Sequence, residues 1–216
     1  MFNKIALIGN GKLSKSLQKL INNTYDVFIF DKDNIEKLKD AKVDLLIDCS
    51  LKDAFENIYQ YLDKNLVPAI ICATGHSKEQ ILKMKQLSKK IPLFKSENFS
   101  LGINLIKKFI KDNSKALCSY DSYLFDFHHQ NKIDCPSGTS KSLIELFENK
   151  ITCFSIRSKN IIGEHEIRLF SDDEEIIIKH KATSSNLFSK GILLAIDFIQ
   201  KCSPGFYTME DLINEI

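Results

Sequence analysis

The sequence predicts an α/β protein, a parallel sheet covered by helices and joined to a second, smaller α+β region. Three observations carry that expectation. From Lys4 to Phe94 short apolar runs alternate with helical patterns, as parallel strands with right-handed crossovers require. A glycine turn, Gly9-Asn10-Gly11, joins the first run to the first helix. After Gly102 the alternation stops, and three strand-like runs separated by turn residues follow, the pattern of an open, mostly antiparallel sheet.

Bulk properties narrow the function class. The chain has 216 residues, 44% of them hydrophobic, enough for one large domain or two small ones. Its 30 basic and 28 acidic residues leave a net charge of +2, so no strong field draws it to nucleic acid or to a membrane surface. No apolar run approaches the roughly 18 residues of a membrane span, and the N-terminus enters a charged, strand-like segment unlike a signal peptide. A cytoplasmic protein is expected. Cys49, Cys72, Cys118, Cys135, Cys153 and Cys202 lack C-x-x-C spacing and read as reduced thiols.

Lys4 to Ile8 reads as the first strand, and Leu17, Leu20 and Ile21 form one face of the helix after it. The turn between them suits a dinucleotide pyrophosphate, held by Gly9, Asn10, Gly11, Lys12 and Leu13, with Ser14 where a third glycine is usual. The second strand, Val27 to Phe30, ends at Asp31, placed to accept from the ribose hydroxyls of NADH. Lys32 follows and suits the 2′-phosphate of NADPH. Strands at Val43 to Asp48 and Val67 to Cys72, with helices at Ala54 to Leu62 and Lys78 to Ser88, lead to a fifth strand starting at Pro92. In such a Rossmann-like sheet ligands lie past the carboxyl ends of the strands, so Gly9, Asp31, Ser50 and Thr74 should face one crevice.

An amphipathic helix, Ile103 to Asn113, and a strand, Ser122 to Phe127, bring the chain to its densest chemistry. His128 and His129 can exchange protons near neutral pH, and Lys132 adds a fixed cation. Ser137, Gly138 and Thr139 open a helix expected over Ser140 to Phe147, offering hydroxyls and backbone N–H groups to a carboxylate or phosphate. Neighbouring histidine side chains diverge and no further ligand recurs at zinc spacing, so no metal is expected. Ser137 lacks the flanking glycines of a nucleophile elbow, which disfavours a serine hydrolase. Runs at Thr152 to Arg157, Glu166 to Phe170 and Glu175 to His180 follow, with His165 and His180 read as structural. A helical stripe of Phe188, Ile192, Ala195, Ile196 and Ile199 closes the pattern.

The run His128-His129-Gln130-Asn131-Lys132-Ile133-Asp134-Cys135-Pro136-Ser137-Gly138-Thr139 resembles the H-H-x-x-K-x-D-A-P-S-G-T signature of the dihydrodipicolinate reductases, with Cys135 in place of alanine. Ile47-Asp48-Cys49-Ser50, Ala73-Thr74-Gly75, Asn98-Phe99-Ser100-Leu101-Gly102 and Pro204-Gly205-Phe206-Tyr207-Thr208-Met209 are similar to further family segments, so the resemblance covers the whole chain. It implies a dinucleotide-binding domain over residues 1–99 and 187–216, with a substrate-binding and oligomerisation domain, residues 100–186, inserted. It implies reduction of 4-hydroxy-tetrahydrodipicolinate by NADH or NADPH on the diaminopimelate route to lysine. His128 would be the general acid and Lys132 the charge-stabilising cation, with His129, Lys132, Ser137, Gly138, Thr139 and Thr74 at the substrate dicarboxylate. Ser50, Ala73, Thr74, Gly75, Asn98, Phe99 and Ser100 would join the Gly9 turn and Asp31 at the cofactor. A homotetramer is implied, or a dimer, because the connection before Ile151 is short for the family; Ser185 also stands where an arginine is common. The alternatives are a reductase of another small imino or keto acid and a dinucleotide-sensing module without turnover.

Overall fold

The computed structural model describes residues 2–216, and the chain divides into two compact units: the segment up to Phe99 with Asn186–Ile216, and Ser100–Ser185. The first unit holds a six-stranded sheet in the order β10-β5-β4-β3-β1-β2, and every pairing in it is parallel. Its strands are β1 (Lys4–Ile8), β2 (Asp26–Phe30), β3 (Leu45–Asp48), β4 (Ala69–Ile71), β5 (Pro92–Lys95) and β10 (Gly205–Tyr207). The crossovers are α1 (Lys12–Ile21), α2 (Phe55–Asn65) and α3 (Lys78–Leu87), with α7 (Asn186–Ile199) and α8 (Met209–Glu215) nearer the C-terminus. Ile5 to Ile8 of β1, Leu45 to Ile47 of β3 and all of β4 are continuous apolar runs buried on both faces, as in the interior of a covered parallel sheet.

Three features of this unit depart from the sequence expectation. Between β2 and β3 the chain makes a short 3₁₀ turn, Ile35–Asp40, where strict alternation of strand and helix would put an α-helix; its Leu38 is buried in the core. Leu20 is 39% exposed, and only Leu17 and Ile21 of the expected stripe are buried in α1. β10 was not foreseen at all. Three residues are too few to show a period, and only pairing with β5 makes them a strand.

The second unit holds β6 (Asp121–His128), β7 (Ile151–Arg157), β8 (Glu164–Phe170) and β9 (Glu175–Lys181), in the sheet order β7-β6-β8-β9. β6 runs parallel to β7 and antiparallel to β8, and β8 is antiparallel to β9. α4 (Leu101–Asp112), the short α5 (Ser114–Leu117) and α6 (Gly138–Ile144) supply Ile110, Leu117 and Leu143 to a core with Leu124, Ile167 and Leu169 of the sheet. Strand alternation therefore sorts β6 into two faces. Ser122, Leu124, Asp126 and His128 are buried, while Tyr123, Phe125 and Phe127 are only partly covered. On that second face Phe154 lies across both Tyr123 and Phe125, and Arg168 and Lys179 pair with Glu164, Glu166 and Glu175.

Candidate functional site

Each unit presents its own cluster of polar groups. In the first, a groove of about 780 Å³ is lined by Gly9, Asn10, Gly11, Asp31, Lys32 and Ser50, among others. Gly9 has φ +100°, and a Cβ there would stand 2.7 Å from the Cys49 carbonyl oxygen, so the turn requires glycine. Gly11 has no such conflict: a Cβ would meet nothing within 4 Å, and its absence keeps the first turn of α1 open. No side chain caps that helix and no acid stands in its first turn. Ser14 sends its hydroxyl back to the Gly9 carbonyl at 2.7 Å, which ties the helix to the turn. Asp31 accepts from Asn10 Nδ2 at 3.2 Å and from the Asp33 N–H at 3.1 Å, which holds its carboxylate in the groove lining. A glycine cradle at an uncapped helix start, with an acid at the end of β2, fits a dinucleotide.

The other residues expected at the cofactor stand apart from this groove lining. Lys12 is exposed and Leu13 half-buried on α1; Thr74 and Gly75 are exposed in the loop after β4. Ala73 is buried, and its carbonyl accepts from Lys95 Nζ at 3.0 Å, a contact the sequence reading missed; burial pushes the Lys95 ammonium down. Asn98 is half-buried, whereas the Phe99 ring packs on Phe94. Ser100, 1% exposed, caps α4 by accepting from the Ile103 N–H, and its hydroxyl also meets His180 Nε2 at 3.2 Å. Its side chain is thus committed inside the second unit.

The second cluster sits at one end of the inner face of β6, β7 and β8. At its centre is Asp126, fully buried, which the sequence reading did not single out. Its Oδ1 lies 2.7 Å from His128 Nδ1. Its Oδ2 accepts from the Ser137 N–H at 2.9 Å, from Ser155 Oγ at 3.1 Å and from Arg157 Nη2 at 3.1 Å. Burial alone would raise this carboxyl, but His128, the Ser137 N–H and Arg157 outweigh it and hold the group well below the usual carboxylate range. His165, read from the sequence as structural, pairs in register with Asp126; its Nε2 is 3.6 Å from Oδ1 and 3.3 Å from Ser137 Oγ. Burial pushes His165 down to about 4, so its ring is neutral at pH 7. Asp126, His128 and His165 bring together the donor types of a metal site. The Arg157 guanidinium on the same carboxylate opposes a dication there.

The turn at α6 corrects the free anion grip that the sequence suggested. The Ser137 hydroxyl accepts from the Ser140 N–H and faces Ser140 Oγ and His165, its N–H goes to Asp126, and the residue is 1% exposed. The Gly138 N–H donates to Asp134 Oδ2 at 3.1 Å, while Asp134 Oδ1 pairs with Lys132 Nζ at 2.7 Å. One acid of the chain thus bridges two groups expected at the substrate. Lys132 is partly buried, Thr139 half-buried, and His129 exposed. Cys135 is exposed and precedes Pro136 through a cis bond.

Comparison with known proteins bears on nearly the whole chain. The sequence model of the dihydrodipicolinate reductase N-terminus matches residues 5–99, and that of its C-terminus residues 102–213. A 4-hydroxy-tetrahydrodipicolinate reductase of Clostridium novyi is 34% identical over 98% of each chain. One of Thermosipho africanus is 33% identical over 95% of this chain and 94% of its own. A dipicolinate-bound dihydrodipicolinate reductase of Paenisporosarcina superposes with a TM-score of 0.81 over 96% of this chain and 98% of its own. At 18% identity that likeness speaks for the fold.

Proposed function

The chain belongs to the dihydrodipicolinate reductase family, and we propose that His128 and Lys132 carry the protein's share of the family reaction. The protein is an NAD(P)H-dependent reductase of 4-hydroxy-tetrahydrodipicolinate, and its N-terminal part is the Rossmann-like NAD(P)-binding domain. In this reading the first unit holds the cofactor and the second the substrate. Gly9, Gly11 and the N–H groups at the start of α1 take the pyrophosphate, Asp31 the ribose hydroxyls, and Lys32 a 2′-phosphate where one is present. The bound nicotinamide supplies the hydride.

Everything else falls to the chain's own side chains. His128 delivers a proton to the position left electron-rich by reduction, from Nε2, because Nδ1 already faces Asp126 at 2.7 Å. Lys132 holds one substrate carboxylate and stabilises the charge that develops. The second carboxylate meets the Gly138-Thr139 backbone, displacing the Asp134 carboxylate that satisfies Gly138 in its absence. The observation that carries this reading is the buried Asp126–His128 pair in the same unit, one turn of chain from Lys132 and α6. Oxidation of NADH, followed by absorbance with the condensation product of pyruvate and aspartate semialdehyde, tests it. His128→Gln should lower kcat about 10²- to 10⁴-fold, the usual worth of a general acid. A kcat within threefold of the parent removes His128 from that role.

The reading extends to assembly and location. The partly exposed face of Tyr123, Phe125, Phe154, Ile156 and Phe170, rimmed by ion pairs, supports a homotetramer built from this sheet, or a dimer given the short link between α6 and β7. Sedimentation reads the state directly, and a monomer at micromolar concentration rejects it. Among the described residues no helix is long and apolar enough to cross a membrane. A cytoplasmic location accords with six free thiols and a biosynthetic family.

A further inference from the structure

Asp126 is an unusual investment for a small sheet. A carboxylate at 0% exposure is costly to bury unless each oxygen is paired. Here Oδ2 is saturated by a backbone N–H, a hydroxyl and a guanidinium, which fixes the plane of the carboxylate. Oδ1 accepts no aligned hydrogen bond and stands 2.7 Å from His128 Nδ1 and 3.6 Å from His165 Nε2, so that a small ring rotation lets it take a proton carried on Nδ1. The other edge of the His128 ring is shaped as deliberately. Gly163 lies beside Nε2, and a Cβ at that residue would approach to 3.2 Å. The ring therefore has a carboxylate against one nitrogen and a residue without a side chain beside the other.

We propose that Asp126 is the positioning residue of the proton transfer. It fixes His128 with Nδ1 protonated, so that Nε2 is the atom that gives up the proton, and through the Ser137 N–H it couples that ring to the α6 turn. The proposal rests on the reading of His128 as proton donor. The balance is simple: the His128 imidazolium breaks its Nε2–H bond, the proton joins the electron pair on the substrate, and a neutral imidazole remains with Nδ1–H toward Asp126. Water restores the Nε2 proton, and Asp126 stays ionised throughout.

Nitrogen-15 NMR of the full chain, with His128 assigned by its loss in His128→Gln, tests this directly. In the neutral ring the wild type should show Nδ1–H and a bare Nε2; the opposite tautomer overturns the proposal without any mutant having to fold. In Asp126→Asn the tautomer should change, with kcat falling about 10²-fold or more, on the scale of a lost general acid. Substrate KM should move less than about threefold, because uniform binding is not what the carboxylate supplies. An unchanged tautomer in folded Asp126→Asn, or a loss confined to KM, reduces Asp126 to a structural acid. Full activity in His128→Gln would instead remove the proton-donor reading while leaving the tautomer result standing, so the two failures are distinguishable.

Discussion

Two turns in this protein have the same outline in sequence, small residues just ahead of a helix, and opposite states in the fold. The Gly9 turn leaves the start of α1 uncapped, with no acid in its first turn and no atom where a Gly11 side chain would be. The turn ahead of α6 is filled by the chain itself, with Ser137 as the cap, Asp126 on the Ser137 N–H and Asp134 on the Gly138 N–H. The difference teaches that a helix start becomes an anion site by what its neighbours leave undone. The first turn waits for a ligand that brings its own charge; the second exchanges one carboxylate for another.

The largest expected effect breaks the filled turn with acid. An unfolded histidine takes up its proton near 6.5, whereas folded His165 resists until about 4. Between those values the unfolded chain binds the extra proton, so the stability present above pH 6.5 is lost as pH falls toward 4, on the order of 3 kcal/mol. Urea unfolding at pH 7 and pH 4 should show that loss in the parent and a much smaller one in His165→Gln. Equal losses in both would place the acid sensitivity elsewhere.

Next in size is the open turn. Gly9→Ala forces a Cβ into the Cys49 carbonyl at a positive φ, strain of about 1–3 kcal/mol, and should weaken NADH binding about ten- to hundredfold. Fluorescence titration checks it, and the affinity for a planar aromatic dicarboxylate should stay put. If both ligands weaken together, the damage is general and the two turns are not independent. The smallest effect sharpens the exchange. Asp134→Asn removes the competing charge from Lys132 and Gly138, and because that pair is partly exposed the dicarboxylate should bind only about two- to fivefold tighter by calorimetry. Weaker binding would mean that Asp134 supports Lys132.

The sequence showed the parts of each site that are contiguous. Gly9, Gly11 and Asp31 were legible because strand, turn and strand end recur at fixed spacing, and His128 to Thr139 because twelve neighbouring residues carry the chemistry. Asp126, Arg157 and His165 were not, since they meet only through pairing: Asp126 opposes Ser155 and His165, and His128 opposes Arg157. One signal was available. In the alternation of Ser122, Leu124, Asp126 and His128 an acid falls on the core face two residues before a histidine, and a buried carboxylate in that phase demands a cationic partner. The Ser137 part of the anion grip was misread as free for a related reason: helix-start chemistry is local, but the Ser137 N–H is taken by Asp126, eleven residues earlier on β6.

That alternation also governs how the second unit can fail. A slip of one residue between β6 and β8 would turn Phe125 and Phe127 inward, where Asp126 and His128 stand, and send the carboxylate out among the aromatic rings. Leu124 set against Ile167, and Ser122 against Leu169, make such a slipped sheet costly, because the same shift would empty the core beneath α4 and α6. Ordinary packing four and six residues before His128 thus acts as the proofreader of the proton donor, and a misregistered chain would lose its hydrophobic core and its chemistry in the same event.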